Sequence, residues 1–210
     1  MKLPRLQYIT DSVAHAEAAC VSGIRWIQGR VKNKPGQETK KILADMQQIC
    51  KKHNCLFIVN DFLEIALEIN ADGVHLGKTD TSISAARNMI GNKKLIIGGT
   101  ANTYEDIQYL IKHQVNYIGL GPFRFTTTKE QLSPVLGIEG YKEIFLQMKQ
   151  ETNDLTPVFA IGGITPEDTA SLLITGVYGV AVSGCIKNSE NKKKTIQEFE
   201  AQFNQTTHAG

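Results

Sequence analysis

Eight short β-rich runs, each followed by a longer segment of helical period, constrain this chain more than anything else in it. They are Leu6–Thr10, Ile24–Arg30, Cys55–Asn60, Gly73–Gly77, Leu95–Thr100, Tyr117–Gly121, Val158–Gly163 and Gly179–Ser183. Such alternation is the mark of repeated βα units around a parallel sheet. The helix signals are specific. After the fifth run Thr103 stands as N-cap with Asp106 three positions on, and Ile107, Leu110 and Ile111 share one face. The seventh helix is predicted to start at Thr165, with Pro166 first, Glu167 and Asp168 in its positive first turn, and Gly176 at its end.

Eight units that close on themselves make an α/β, (β/α)8 TIM barrel, and 210 residues lies near the lower end of about 200 for that fold. An open doubly wound sheet is the competing architecture. The barrel is preferred because polar and glycine-rich residues recur at the C-terminal ends of most strands, where a barrel gathers its loops around one site. No linker divides the chain, so a single domain is expected over residues 1–204, with 205–210 as a flexible tail.

Composition narrows the function classes. A hydrophobic content of 41% with 21% charge is that of a globular protein, and a net charge of +2 does not point to nucleic acid or a membrane surface. The densest basic run, Lys192 to Lys194, reads as a solvated helix face. Cys20, Cys50, Cys55 and Cys185 show no paired metal-ligand spacing, so they read as reduced core cysteines, with neither a disulfide framework nor a zinc site. No stretch approaches the roughly 20 apolar residues of a membrane span, and no long apolar segment follows Lys2 and Arg5, so a cytoplasmic protein is the expectation.

Chemistry gathers at the strand ends. The sixth strand runs through Gly119 and Gly121 into Thr126, Thr127, Thr128 and Lys129, whose hydroxyls, backbone N–H groups and ammonium suit a phosphate or pyrophosphate. Period-2 alternation puts Gln28, Arg30 and Lys32 on one side, and two cations there call for an anion. Asn60-Asp61 ends the third strand and Asp80 follows the fourth. The two aspartates either cap the following helices or converge on one hard cation; the phosphate signals nearby favour magnesium, which pairs one or two carboxylates with water and phosphate oxygens. His75 is either a hydrogen-bonded core residue or a substrate contact beneath the loops. Thr100 follows two glycines that would let a ligand approach the backbone. Gly162-Gly163 and Ser183-Gly184 close the last two strands, where barrels often build a phosphate site from backbone N–H groups. Two separate anion sites imply two phosphorylated groups.

These residues, in this order and over essentially the whole chain, resemble the thiamine phosphate synthase family of (β/α)8 enzymes. The motifs are Gln28-x-Arg30-x-Lys32, Asn60-Asp61, Ala71-Asp-Gly-Val-His-Leu-Gly77 followed by Asp80, Gly119-Leu-Gly-Pro122, Thr126-x-Thr128-Lys129 and Ile161-Gly-Gly-Ile164. The resemblance implies a transferase that condenses hydroxymethylpyrimidine diphosphate with hydroxyethylthiazole phosphate and releases diphosphate. It implies that Gln28, Arg30, Lys32, Asn60 and Lys129 hold the diphosphate, that Asp61 and Asp80 bind Mg2+, and that Thr100 and His75 lie near the reacting rings. Thr126, Thr128, Gly162, Gly163, Ser183 and Gly184 would hold the thiazole phosphate. Arg30, Lys129, Thr100 and His75 are the expected catalytic residues. The partners are then two phosphorylated small molecules, with no nucleic acid and no membrane, and a homo-oligomer is left open.

The chain departs from the family pattern at Gly29 and Val31, where leucine and glutamate are common, at Gly184, where serine is common, and at Thr100, which keeps the hydroxyl of a common serine. Gly29 is expected to weaken packing in its strand. Alternatives are a thiazole tautomerase of the same fold, a non-catalytic thiamine phosphate-binding protein, and an unrelated barrel enzyme acting on sugar phosphates. Retention of Arg30, Lys32, Asp61, Asp80 and Lys129 argues against the first, and retention of both aspartates against the second.

Overall fold

A computed structural model describes residues 2–125, 134–152 and 154–206. The strands are β1 (Leu6–Thr10), β2 (Trp26–Gly29), β3 (Leu56–Asn60), β4 (Gly73–Leu76), β5 (Ile96–Ala101), β6 (Tyr117–Leu120), β7 (Val158–Ile161) and β8 (Gly179–Val182). Between and after them run α1 (Val13–Val21), α2 (Gly36–Lys52), α3 (Leu63–Glu68), α4 (Ile83–Ile90), α5 (Tyr104–Lys112), α6 (Gly137–Glu151), α7 (Pro166–Thr175), α8 (Gly184–Lys187) and α9 (Lys192–Thr206). Every strand pairs in parallel with its sequence neighbours, and β8 returns to β1 to close the barrel. The closed sheet excludes the doubly wound alternative. The last unit differs from the plain repeat: a single turn, α8, precedes the long α9. α9 reaches Thr206, past the boundary expected after residue 204, and 207–210 lie outside the described residues.

Local chemistry accounts for the helix starts. Asp106 Oδ2 accepts from the N–H groups of Asn102 at 2.8 Å and Thr103 at 3.0 Å, while Asp106 N donates to Thr103 Oγ1 at 3.3 Å. That reciprocal cap satisfies donors that α5 leaves without intrahelical partners. At α7, Asp168 Oδ2 accepts from Thr165 N at 2.8 Å and from its hydroxyl at 3.0 Å, and Gly176 ends the helix at φ 118°. Only glycine adopts that conformation readily.

Two apolar layers result. One lies between sheet and helices and contains Tyr8, Ile27, Phe57, Val59, Val74, Ile97, Ile118 and Val180 with the inner faces of the helices. The other is inside the barrel, where Leu3, Trp26, Ile58, Tyr117 and Phe159 pack together. Trp26 meets Tyr117 and Phe159 edge-on, each with ring centroids 4.9 Å away. Residues alternate between the layers along each strand, so Gln7, Gln28, Asn60, His75, Thr100 and Gly119 share the inward side with this aromatic plug.

Glycines make the plug fit. A Cβ on Gly98 would lie 2.2 Å from Tyr117 Cζ, and one on Gly99 would lie 2.3 Å from Leu110 Cδ2. The pair therefore admits a tyrosine on one side of β5 and a helix leucine on the other, rather than a ligand. Gly29 also departs from its expected effect: a Cβ there would stand 2.6 Å from Leu43 Cδ2 and 2.8 Å from Phe57 Cζ. Its absence lets α2 and β3 close on β2, so this glycine tightens packing where it was expected to weaken it.

Candidate active site

The C-terminal ends of β2, β3 and β4 bring a charged cluster to the barrel mouth. Asp61 follows β3 in a left-handed conformation, φ 68°, its N–H held by His75 O at 2.8 Å. Asp80 folds back so that Oδ2 accepts from Gly77 N at 2.7 Å. Asp61 lies within interaction range of Asp80. Burial, then the hydrogen bond and charge of Asp80, push the Asp61 carboxyl up to about 7, against the opposing pull of Lys32 and Arg30. Neither aspartate caps a helix: the α3 N-cap is Phe62 with no side-chain bond, and the α4 N-cap is Ser82, which accepts from Ala85 N. Of the two readings open from the sequence, helix capping is excluded. Two carboxyls that share a proton in this way offer oxygens of the kind a hard divalent cation takes.

Arg30 and Lys32 lie within electrostatic reach of Asp61. Lys32 is exposed and Arg30 half-buried, so both present charge at the mouth. Gln28 and Asn60 are buried beneath them. Gln28 turns its amide inward, and Nε2 donates to Gln7 Oε1 at 3.4 Å.

His75 is buried and fully engaged. Its Nδ1 stands 3.0 Å from the Tyr117 hydroxyl and its Nε2 2.9 Å from Thr100 Oγ1. Gln7 Nε2 donates to the Tyr117 oxygen at 3.5 Å, and burial pushes the Tyr117 phenol well above its ordinary value, so it keeps its proton. The direction that satisfies every member runs from Gln28 through Gln7 and Tyr117 to His75 Nδ1. Nε2 then carries hydrogen and donates to Thr100, whose own proton remains to be donated toward the mouth. Gly119 makes room for the imidazole, since a Cβ there would come within 3.2 Å of His75 Cε1. Tyr117 and Gln7 are the members that the strand-end reading missed; alternation placed them inside, but nothing in the sequence pairs them.

On the opposite rim, Gly162 and Gly163 take φ 105° and 66°. The segment after β6 clasps them: Phe123 N donates to Ile161 O at 2.8 Å and Arg124 N to Gly162 O at 3.1 Å. The Arg124 guanidinium donates to both Asp168 oxygens, at 2.8 and 2.7 Å, and to Gly163 O at 2.7 Å. Burial raises the Asp168 pKa, but the bonds from Arg124 and Thr165 outweigh it and hold the carboxyl below its ordinary value. This bidentate clamp was not anticipated; an arginine leaving β6 and an acid opening the helix of the next βα unit, α7, were its signals. Ser183 and Gly184 open the short α8 beside this rim. Thr126, Thr128 and Lys129 lie outside the described residues.

The structure is thus a (β/α)8 barrel with a cation-and-carboxylate cluster on one rim and a glycine turn with a short extra helix on the other. A profile of the family described as thiamine monophosphate synthase matches residues 5–186, and the chain belongs to that family. It is 50% identical over 201 residues to the thiamine-phosphate synthase of Flavobacterium johnsoniae, covering 93% of this chain and 94% of that one. The protein of the same name from Phocaeicola vulgatus is 45% identical over 194 residues, covering 91% and 92%. A solved thiamine phosphate pyrophosphorylase from Pyrococcus furiosus superimposes with a TM-score of 0.81 at 30% identity, over 96% of each chain. The protein is accordingly a transferase of thiamine biosynthesis. Among the described residues, no helix is long and apolar enough to cross a membrane.

Proposed function

We propose that the barrel mouth joins hydroxymethylpyrimidine diphosphate to hydroxyethylthiazole phosphate, giving thiamine phosphate and diphosphate. The observation that carries this reading is the meeting of Asp61 and Asp80 beside Arg30 and Lys32. A diphosphate leaving group develops charge as its bond to the pyrimidine methylene breaks, and this corner places cations and a divalent-ion donor pair together. Magnesium fits the two carboxylates and, when bound, neutralises diphosphate oxygens. Arg30 and Lys32 orient the same group by charge. Lys129 adds a further ammonium in this reading.

The thiazole nitrogen that captures the methylene carries no proton, so the reaction needs no general base. The geometry agrees: His75 has both ring nitrogens committed, to Tyr117 and Thr100, and acts by positioning the Thr100 hydroxyl. That hydroxyl donates to whatever acceptor the reacting rings present. The second substrate's phosphate is assigned to the opposite rim, where the Gly162-Gly163 turn leaves backbone close to the mouth and Arg124 fixes it. Thr126, Thr128, Ser183 and Gly184 complete that assignment.

The test is product formation from the two purified substrates, read by mass, with Mg2+ and with a chelator. Many turnovers with Mg2+ and none with chelator are expected. Absence of product from well-folded protein with Mg2+ would overturn the reading.

A further inference from the structure

Three of the four cysteines, scattered in sequence, come together at the end of the barrel remote from the mouth. Cys20 is in the last turn of α1, Cys50 in the last turn of α2, and Cys55 immediately precedes β3. All three are buried, at 3%, 0% and 5% exposure, and their sulfurs lie within 4.8 Å of one another. The three are free and buried in the core, as expected, and the fold brings them together across α1, α2 and β3, a proximity that sequence spacing does not show.

We propose that Cys20, Cys50 and Cys55 form a structural site for a thiophilic d10 cation, of the Zn2+ or Cu+ type. Zinc–sulfur bonds of about 2.3 Å set tetrahedral sulfur pairs about 3.8 Å apart, so a contraction of about 1 Å or less brings this cluster onto an ion. Soft thiolates select such ions. The hydrogen bond from Cys55 Sγ to Leu56 O, at 3.6 Å, is the contact that binding would replace.

The helix ends around the cluster suit a bound cation. Both α1 and α2 supply their ligands from last turns, where the helix dipole is negative. That end favours a positive ion. Arg25 and His53 stand beside Cys20 and offset the net negative charge of a thiolate complex. The loop between two of the ligands is already fixed, since Cys55 N donates to Cys50 O at 2.9 Å. Binding involves no redox change; each coordinating thiol gives its proton to solvent. One ion would tie two helices to a strand on the face that serves stability in barrels.

The proposal is independent of the reaction assigned to the mouth, and its test reads binding directly. Reduced, chelator-stripped protein, shown to carry four free thiols, is titrated anaerobically with Cd2+. One equivalent is expected to give sulfur-to-metal charge-transfer absorption and a higher Tm. Cys50→Ser and Cys55→Ala each weaken that binding by more than about 100-fold, and Cys185→Ser binds as wild type does. Tetrahedral Co2+ bands assign a zinc-type ion, whereas stoichiometric Ag+ binding without such bands assigns a monovalent one. No charge-transfer band from folded, reduced wild type, or a band that persists in both Cys50→Ser and Cys55→Ala, would overturn the proposal.

Discussion

The inside of this barrel is built in two ways. Toward the strand N-termini, Trp26, Tyr117 and Phe159 pack edge to face and fill the space with buried aromatic surface. Toward the C-termini the same inward positions carry Gln28, Asn60, His75 and Thr100, and beyond them two aspartates and two cations. One period-2 pattern thus serves packing at one end and chemistry at the other. The end with the aromatic plug gains its stability from burial and has little to lose in turnover; the mouth has the reverse balance.

The sharpest break of this contrast is Asp61→Asn. It keeps the volume and removes one of two metal-ligating carboxylates, so turnover should fall by roughly 10²–10³-fold, about 3–4 kcal/mol of transition-state stabilisation. The circular-dichroism spectrum and Tm should not fall with it. Turnover within a few-fold of wild type at saturating Mg2+ would remove Asp61 from the site.

Trp26→Ala is the mirror-image experiment. Trp26 is fully buried against two rings, and truncation of such a side chain costs about 3–5 kcal/mol. The Tm should drop by roughly 6–20 °C for a chain of this length, while kcat measured well below the transition stays near wild type. A large loss of kcat without a loss of Tm would show that the two ends are not separable in this way.

Tyr117 belongs to both ends, since its ring is part of the plug and its hydroxyl orients His75. Tyr117→Phe leaves the ring and deletes the hydroxyl. Stability should change by about 1 kcal/mol, and turnover should fall by about tenfold with KM unchanged, because the His75 tautomer is no longer fixed. Unchanged kcat would confine Tyr117 to packing.

How much of this could be read from the residues depends on whether the signal was local. Strand runs lie within two residues of the observed elements because apolar β-branched character and flanking glycines are local properties. Strand-end residues such as Asp61 and Asp80 were legible because a barrel gathers its strand ends whatever the sequence between them. The space around glycines was not: that Gly98 accommodates Tyr117 and Gly29 accommodates Leu43 depends on neighbours nineteen and fourteen positions away. The cysteine cluster was illegible for the same reason, as α1, α2 and β3 had to pack before three sulfurs shared a point. The Arg124–Asp168 clamp likewise joins the segment after β6 to the first turn of α7.

The smallest effect separates charge from packing at the mouth itself. Asp61 is pushed up to about 7 in the fold, from an ordinary 3.8. Between those values the folded chain binds more protons than the unfolded one, so stability falls as pH rises through that window and levels off above it. The difference is about 1–2 kcal/mol once solvent screening of a partly exposed pair is allowed for. In chelator, the wild-type Tm should therefore fall between pH 5 and 8, relative to Asp61→Asn, by a few degrees. Adding Mg2+ should abolish the difference, because a divalent ion offsets the repulsion that the shared proton otherwise relieves. The same substitution would then be stabilising and inactivating at once, which packing alone cannot produce. Parallel Tm profiles for the two proteins in chelator would mean that Asp61 and Asp80 do not meet closely enough to share either a proton or an ion.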